Sequence, residues 1–202
     1  MYISFSNILV CYFILGNILE IYNSDLVKNK FKYASYYLTI THQGIVLPLL
    51  YFPNLIFCNS NISKVLLQST ISYFITDFYI NRNVILKDYK FILHHFITVF
   101  LIWSNLSMYE KNYLVNCTTI LELGSLWLSV TDLYPNNLNY KIRFHLYLLS
   151  RLIALKSIYD YILDYTNKIN IYIKIAGVSI LYMHNVIIGY YLYKGMNKSR
   201  ND

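Results

Sequence analysis

Asp77, His94, His95 and Glu122 have the widest chemical range of any side chains in this chain, and each lies within a run of apolar residues. A charged group at the centre of a membrane helix costs about 2.5–3.5 kcal/mol on insertion scales, so such residues mark functional sites by default. An imidazole at that depth can act as a base, an acyl acceptor or a proton carrier. A carboxylate on the preceding helix can take its ring N–H and set the tautomer. Asp77 and the His94-His95 pair suit that arrangement. Consecutive histidines point about 100° apart around a helix, so both line a cavity only where other helices surround them. His42, Arg151 and His184 are further ionisable groups placed deep in apolar runs.

These residue types also bind zinc or iron. Two adjacent histidines on one straight helix do not chelate a single ion. The HxxxH and ExxH spacings that set two ligands on one helical face are absent as well. Neither a metal site nor a cofactor is expected.

The elements that must carry these groups are helices in a membrane. The chain has 202 residues, of which 56% are hydrophobic and 13% charged. That charged share is roughly half of what soluble domains carry. The excess of Ile, Asn, Lys and Tyr is what A+T-rich codons produce and carries no chemistry. Seven apolar stretches run over 3–22, 33–57, 63–80, 91–108, 113–133, 142–163 and 171–193. A spanning helix needs about 20 such residues. Arg151, Lys156 and Asp160 interrupt the sixth. Period-two alternation is missing, which argues against a membrane β-barrel. The expected fold is an all-α, multi-pass transmembrane bundle of about seven spans.

Basic residues give the orientation. Eleven lie in alternate connections and the tail: Lys28, Lys30, Lys32, Arg82, Lys87, Lys90, Lys141, Arg143, Lys194, Lys198 and Arg200. The other connections hold Lys64, Lys111 and Lys168. This positive-inside bias puts the N-terminus outside or in a lumen and the C-terminus in the cytosol. The net charge of +7 then reflects loops facing an anionic leaflet rather than nucleic acid. The first stretch lacks a basic n-region and carries Glu20, so it reads as a retained helix rather than a signal peptide. Cys11, Cys58 and Cys117 form no CxxC and are expected to be buried free thiols. Sequons at Asn61, Asn105, Asn116 and Asn197 are common by chance in an Asn-rich chain.

Counted inward from the cytosolic ends, His42, Glu122, Arg151 and His184 sit about nine to eleven residues deep, roughly 13–17 Å. Asp77, His94 and His95 sit about three to five residues in. The expectation is one cavity opening to the cytosol. Helical spacing agrees: Ser35, Thr39 and His42 share a face, as do Ser69, Tyr73 and Asp77. Thr118, Glu122, Ser125, Ser129 and Asp132 form a third polar stripe. Such stripes face other helices or water, because lipid would strand their polar groups. Two plainer roles stay open: small residues serving close helix packing, and Glu122 with Arg151 as a buried ion pair fixing register. Asp132, Lys156, Asp160 and Lys174 lie close enough to helix ends to snorkel.

In their order along the chain, these landmarks resemble the TLC-domain family, which includes ceramide synthases, translocon-associated membrane proteins and membrane-lipid regulators. They are Thr39-Ile-Thr41-His42; Tyr73-Phe74-Ile75-Thr76-Asp77; Leu93-His94-His95-Phe96-Ile97-Thr98; Glu122-Leu123-Gly124-Ser125; and His184-Asn185 before a lysine-bearing tail. The resemblance covers roughly residues 30–197. It implies a first transmembrane helix and basic loop over 1–29, a six-helix domain over 30–197 and a cytosolic tail over 198–202. It also implies a lipid-accessible cavity in an endoplasmic-reticulum-type or host membrane. Lining that cavity would be His42, Tyr73, Thr98, Glu122, Ser125, Arg151, His184 and Asn185. In the synthase branch the paired histidines act in acyl transfer from acyl-CoA to a sphingoid amine, a role that would fall here to His94, His95 and Asp77. That branch follows the pair with a His-Asp, where this chain has Leu121-Glu122, so the non-synthase branch is the nearer likeness. The expected function is binding, sensing or modifying membrane lipid, with membrane lipids as partners and no nucleic acid. The alternatives are an acyl-CoA-dependent acyltransferase and a small transporter or proton relay.

Overall fold

The computed structural model describes residues 4–22, 30–57, 60–82, 89–104, 106, 112–163 and 168–198. Lys28, Lys87, Lys111, Arg200, Cys58 and the sequon at Asn105 lie outside these. So do the side chains of Lys30, Lys32, Lys90, Lys168, Lys174, Asn197 and Lys198.

The described residues are helical almost throughout. The helices are α1 (Phe5–Tyr22), α2 (Lys30–Thr41), α3 (Leu47–Phe57), α4 (Ser60–Ile80), α5 (Tyr89–Ser104), α6 (Asn112–Leu133), α7 (Asn137–Leu163) and α8 (Lys168–Lys198). A π-helical turn, His42–Val46, joins α2 to α3 as one continuous rod. Each of the seven apolar stretches falls mainly on one rod. Four helices are long and apolar enough to cross a membrane: Phe5–Tyr22, Tyr33–Phe57, Tyr113–Leu133 and Ile175–Met196. Ile92–Ser104 is a shorter apolar helix.

Burial is inverted relative to a soluble protein. Among the described residues, 22 buried side chains are polar or charged and 17 are hydrophobic. Phe52, Leu49, Ile56, Phe96, Met183 and Val186 meanwhile face outward. Water would penalise that distribution, whereas hydrocarbon favours it. The chain is an integral membrane protein by this pattern and by the four long apolar helices. The same pattern corrects one expectation. Cys11 is exposed and Cys117 only partly buried. A thiol is apolar enough to face lipid, so nothing drives Cys11 inward.

Two compact units divide the chain, Met1–Glu110 and Lys111–Asp202. Within the first, α4 is the central element and packs against α1, α2, α3 and α5. It buries 13 of its 21 residues, over half of them Ser, Thr, Gln, Tyr or Asp. Its close approach to α1 is set by Gly16: a Cβ there would come within 2.8 Å of Ile80 Cδ1 and 2.9 Å of Thr76 Cγ2. Ser63 Oγ donates to Asn54 Oδ1 at 2.9 Å and ties α4 to α3. The π turn lies directly ahead of Pro48. In a regular α-helix the Pro48 ring would meet the carbonyl of Gly44, and the wider turn relieves this.

In the second unit α7 packs against both α6 and α8. Gly124 lets α6 and α7 meet closely, since a Cβ there would overlap the Ser150 side chain. α7 begins five residues before the apolar stretch does. Asn136 caps it, its Oδ1 accepting the Asn139 N–H at 2.8 Å, just after Pro135. That Pro-Asn-Asn signal is visible in the sequence, but hydropathy passes over it.

Candidate functional site

The first unit gathers its polar groups around Asp77. The carboxylate accepts from three donors: Ser35 Oγ on α2 at 2.5 Å, Asn81 Nδ2 at 2.9 Å and His95 Nε2 on α5 at 2.9 Å. Asn81 Nδ2 also donates to Ser35 Oγ at 2.6 Å. Asp77 and His95 are only 2% and 5% exposed, so the pair is buried among the helices. Each bond to a carboxylate is charge-assisted and shorter than a neutral one. Carrying its proton on Nε2, the ring has the tautomer that a donor to Asp77 requires.

A second group continues along the same face of α2. The Thr39 hydroxyl donates to the Ser35 carbonyl at 2.9 Å and meets Tyr73 OH at 2.9 Å. The Tyr73 ring stacks on His42, centroids 4.4 Å apart and planes 12° apart. Tyr12 of α1 reaches His42 Nδ1 at 2.5 Å. His42 is fully buried, and its Nε2 has no hydrogen-bond partner among the described residues. Tyr12, Ser35 and Asn81 are members of this network that no site expectation included. Ser35 was visible only as part of a polar stripe, and Tyr12 is one tyrosine among 23 with nothing in its spacing to mark it.

The paired histidines part company. His95 faces Asp77, and His94 is half-buried on the neighbouring face. Their rings are 5.7 Å apart and tilted by 78°. Phe74 touches both edge-on, at 5.9 Å from His94 and 4.9 Å from His95. Thr98 is half-buried one turn beyond His94.

In the second unit Arg151 is the centre. Its Nε donates to Asn185 Oδ1 at 3.2 Å. Nη1 donates to the Leu121 carbonyl at 3.0 Å and to Ser150 Oγ at 2.8 Å, and Nη2 to Ser125 Oγ at 2.8 Å. The guanidinium lies 3.6 Å above the Tyr147 ring, and Tyr147 OH donates to Asn185 Oδ1 at 2.6 Å. Glu122 is buried and within electrostatic reach of Arg151 and Tyr147. Tyr147 and Ser150 were not among the expected site residues, although both sit within a turn of Arg151 on one helix. His184 is half-buried on α8, next to Asn185.

The expected residues therefore form two groups: His42, Tyr73, Asp77, His94, His95 and Thr98 in the first unit, and Glu122, Ser125, Arg151, His184 and Asn185 in the second. Among the described residues no cluster of three His, Cys, Asp or Glu side chains is placed to hold a metal ion. The first group can hold or shift a proton, and the second presents a fixed positive charge. No family model, curated protein or solved structure matches this chain.

Proposed function

We propose that this is a seven-span membrane protein that binds or senses membrane lipid through the polar centre of its first unit. α4, α5 and α7 would supply the three spans beyond the four strongly apolar ones. α4 is less apolar because other helices, not lipid, surround it, and hydropathy undervalues a helix covered in that way. The N-terminus lies outside or in a lumen and the C-terminus in the cytosol, as the eleven basic residues of the alternate connections require.

One observation carries the lipid reading. A carboxylate and a histidine are bonded to each other at 2.9 Å inside a unit whose exterior is apolar. Groups that cost this much to embed are kept for a ligand or a proton rather than for cohesion alone. The likeness of Asp77 and the double histidine to the TLC-domain family adds the lipid class, and an endoplasmic-reticulum-type membrane follows from it.

Acyl transfer from acyl-CoA is the second reading, and the Asp77–His95 bond favours it. A carboxylate that orients an imidazole is what a histidine base needs to take a proton from an attacking amine or hydroxyl. Lipid mass spectrometry on membranes from cells making wild type or the His94→Ala, His95→Ala variant tests both. A shift in one lipid class is expected, and identical profiles would end the lipid reading. Purified protein given labelled acyl-CoA and a panel of amine and alcohol acceptors then separates them. Transfer that disappears in the variant identifies an enzyme, and no transfer by wild type leaves binding.

A further inference from the structure

α7 and α8 leave an open groove of about 200 Å³ between them. Tyr147, Leu148, Arg151 and Leu152 line it from α7, and Asn185 and Gly189 from α8. A dry cavity of about 150 Å³ holds one benzene. This groove therefore has room for a stretch of one hydrocarbon chain and not for the body of a two-chain lipid. Leu148 and Leu152 are about half exposed, so the groove opens sideways onto whatever surrounds the helices.

Gly189 keeps the groove open. A Cβ built there meets nothing within 4 Å, whereas at Gly16 and Gly124 it would run into a neighbouring helix. Helix packing explains the other two glycines and does not explain this one.

The polar wall selects the head group. Arg151 is a permanent cation, and its four hydrogen bonds all end on neutral oxygens: Asn185, Leu121, Ser150 and Ser125. A guanidinium has five N–H donors, which leaves one for a ligand. Glu122 is within electrostatic reach but does not line the groove. An anionic oxygen in the groove would give the guanidinium a bonded counter-charge that its neutral partners do not supply.

We infer that this groove binds a single-chain amphiphile with an anionic head, of the fatty carboxylate type. The head lies at Arg151 beside Tyr147 and Asn185, and the chain runs past Leu148, Leu152 and Gly189. The inference is independent of the reading given to Asp77 and His95.

A photoactivatable long-chain fatty acid, added to the protein in zwitterionic lipid nanodiscs, tests it. After irradiation and peptide mapping, label should concentrate on the segments around 147–152 and 185–189. Unlabelled fatty acid should compete and the matching fatty alcohol should not. Gly189→Phe puts a ring into the groove from a Cβ that meets nothing within 4 Å, and should lower the labelling at least about tenfold with thermal unfolding unchanged. Should that variant unfold early, Gly189→Leu takes its place, and the competition series in wild type needs no variant. His95→Asn should leave the labelling as it is, so failure of the first-unit reading would not disturb this result. Label spread evenly over all outward-facing helices, or untouched by filling Gly189, would overturn the site. Equal competition by the alcohol would overturn the anionic head.

Discussion

The two units solve the burial of charge in opposite ways. In the first, an acceptor sits at the centre: Asp77 collects donors from α2, from Asn81 at the end of α4, and from α5. In the second, a donor sits at the centre: Arg151 reaches out to oxygens on α6, α7 and α8. The difference lies in what the partners do without the centre. Around Arg151 each side-chain partner is already tied elsewhere. Ser125 donates to the Leu121 carbonyl, Ser150 to the Tyr147 carbonyl and Asn185 to the Leu181 carbonyl. Ser35 Oγ, by contrast, spends its proton on Asp77. The first centre therefore holds its helices together, and the second can be exchanged or occupied at less cost.

The largest effect should come from Asp77→Leu. It removes an acceptor that Ser35, Asn81 and His95 share. Bonds inside membrane bundles average about 0.6 kcal/mol and reach about 1.7, so three of them give a loss of about 2–5 kcal/mol. Unfolding in detergent should shift to clearly lower temperature, and Asp77→Asn should recover part of the shift. A melting curve unmoved by Asp77→Leu would remove the distinction between the two centres.

Much of the first centre was legible in the sequence, and for a simple reason. Ser35, Thr39 and His42, like Ser69, Tyr73 and Asp77, repeat at helical spacing within apolar runs, and all six are buried. The seven helical rods of the described residues were legible from the same apolar runs. Tertiary choices were not. Nothing in the chain marks Tyr12 as the partner of His42, or says that His95 rather than His94 turns to Asp77. Matched depth suggested Glu122 for Arg151, but depth cannot show that the hydrogen bonds of the guanidinium go to neutral oxygens. The π turn also escapes, because hydrophobic periodicity over five residues cannot separate it from an ordinary turn.

Smaller, and confined to the second unit, is the effect of Gly124→Ala. The added Cβ would overlap Ser150, so α6 and α7 must separate, at about 1–3 kcal/mol for overpacking. Ser150→Gly in the same chain removes the obstructing atoms and should restore most of the loss. If the double variant is no better than the single one, helix approach at Gly124 is not what sets this packing. Pro48→Ala should come next, at about 1 kcal/mol or less in either direction. It removes the ring that the π turn accommodates and returns a backbone donor. The readout is the Tyr12–His42 contact, followed through the His42 ring resonances. Unchanged resonances would mean that something other than Pro48 holds the turn open.

The smallest effect on stability, and the sharpest test of the comparison, is Arg151→Met. Methionine is close in length, and on the proposed reading of α7 as a span its removal of a charge returns about 2.5–3.5 kcal/mol on insertion scales. Against that stand four bonds to neutral oxygens, together about 2.4 kcal/mol at the average found in membrane bundles and about 7 kcal/mol at most. The two nearly cancel, and the partners keep their own bonds to Leu121, Tyr147 and Leu181. Arg151→Met should therefore unfold within a few degrees of wild type, while the labelling of the α7–α8 groove by a fatty acid falls to the level of a fatty alcohol. Asp77→Leu also removes a charge, but it leaves the buried Ser35 hydroxyl without the acceptor of its proton, at about 1–3 kcal/mol, whereas the partners of Arg151 keep theirs. A large loss of stability in Arg151→Met would make the second centre as structural as the first.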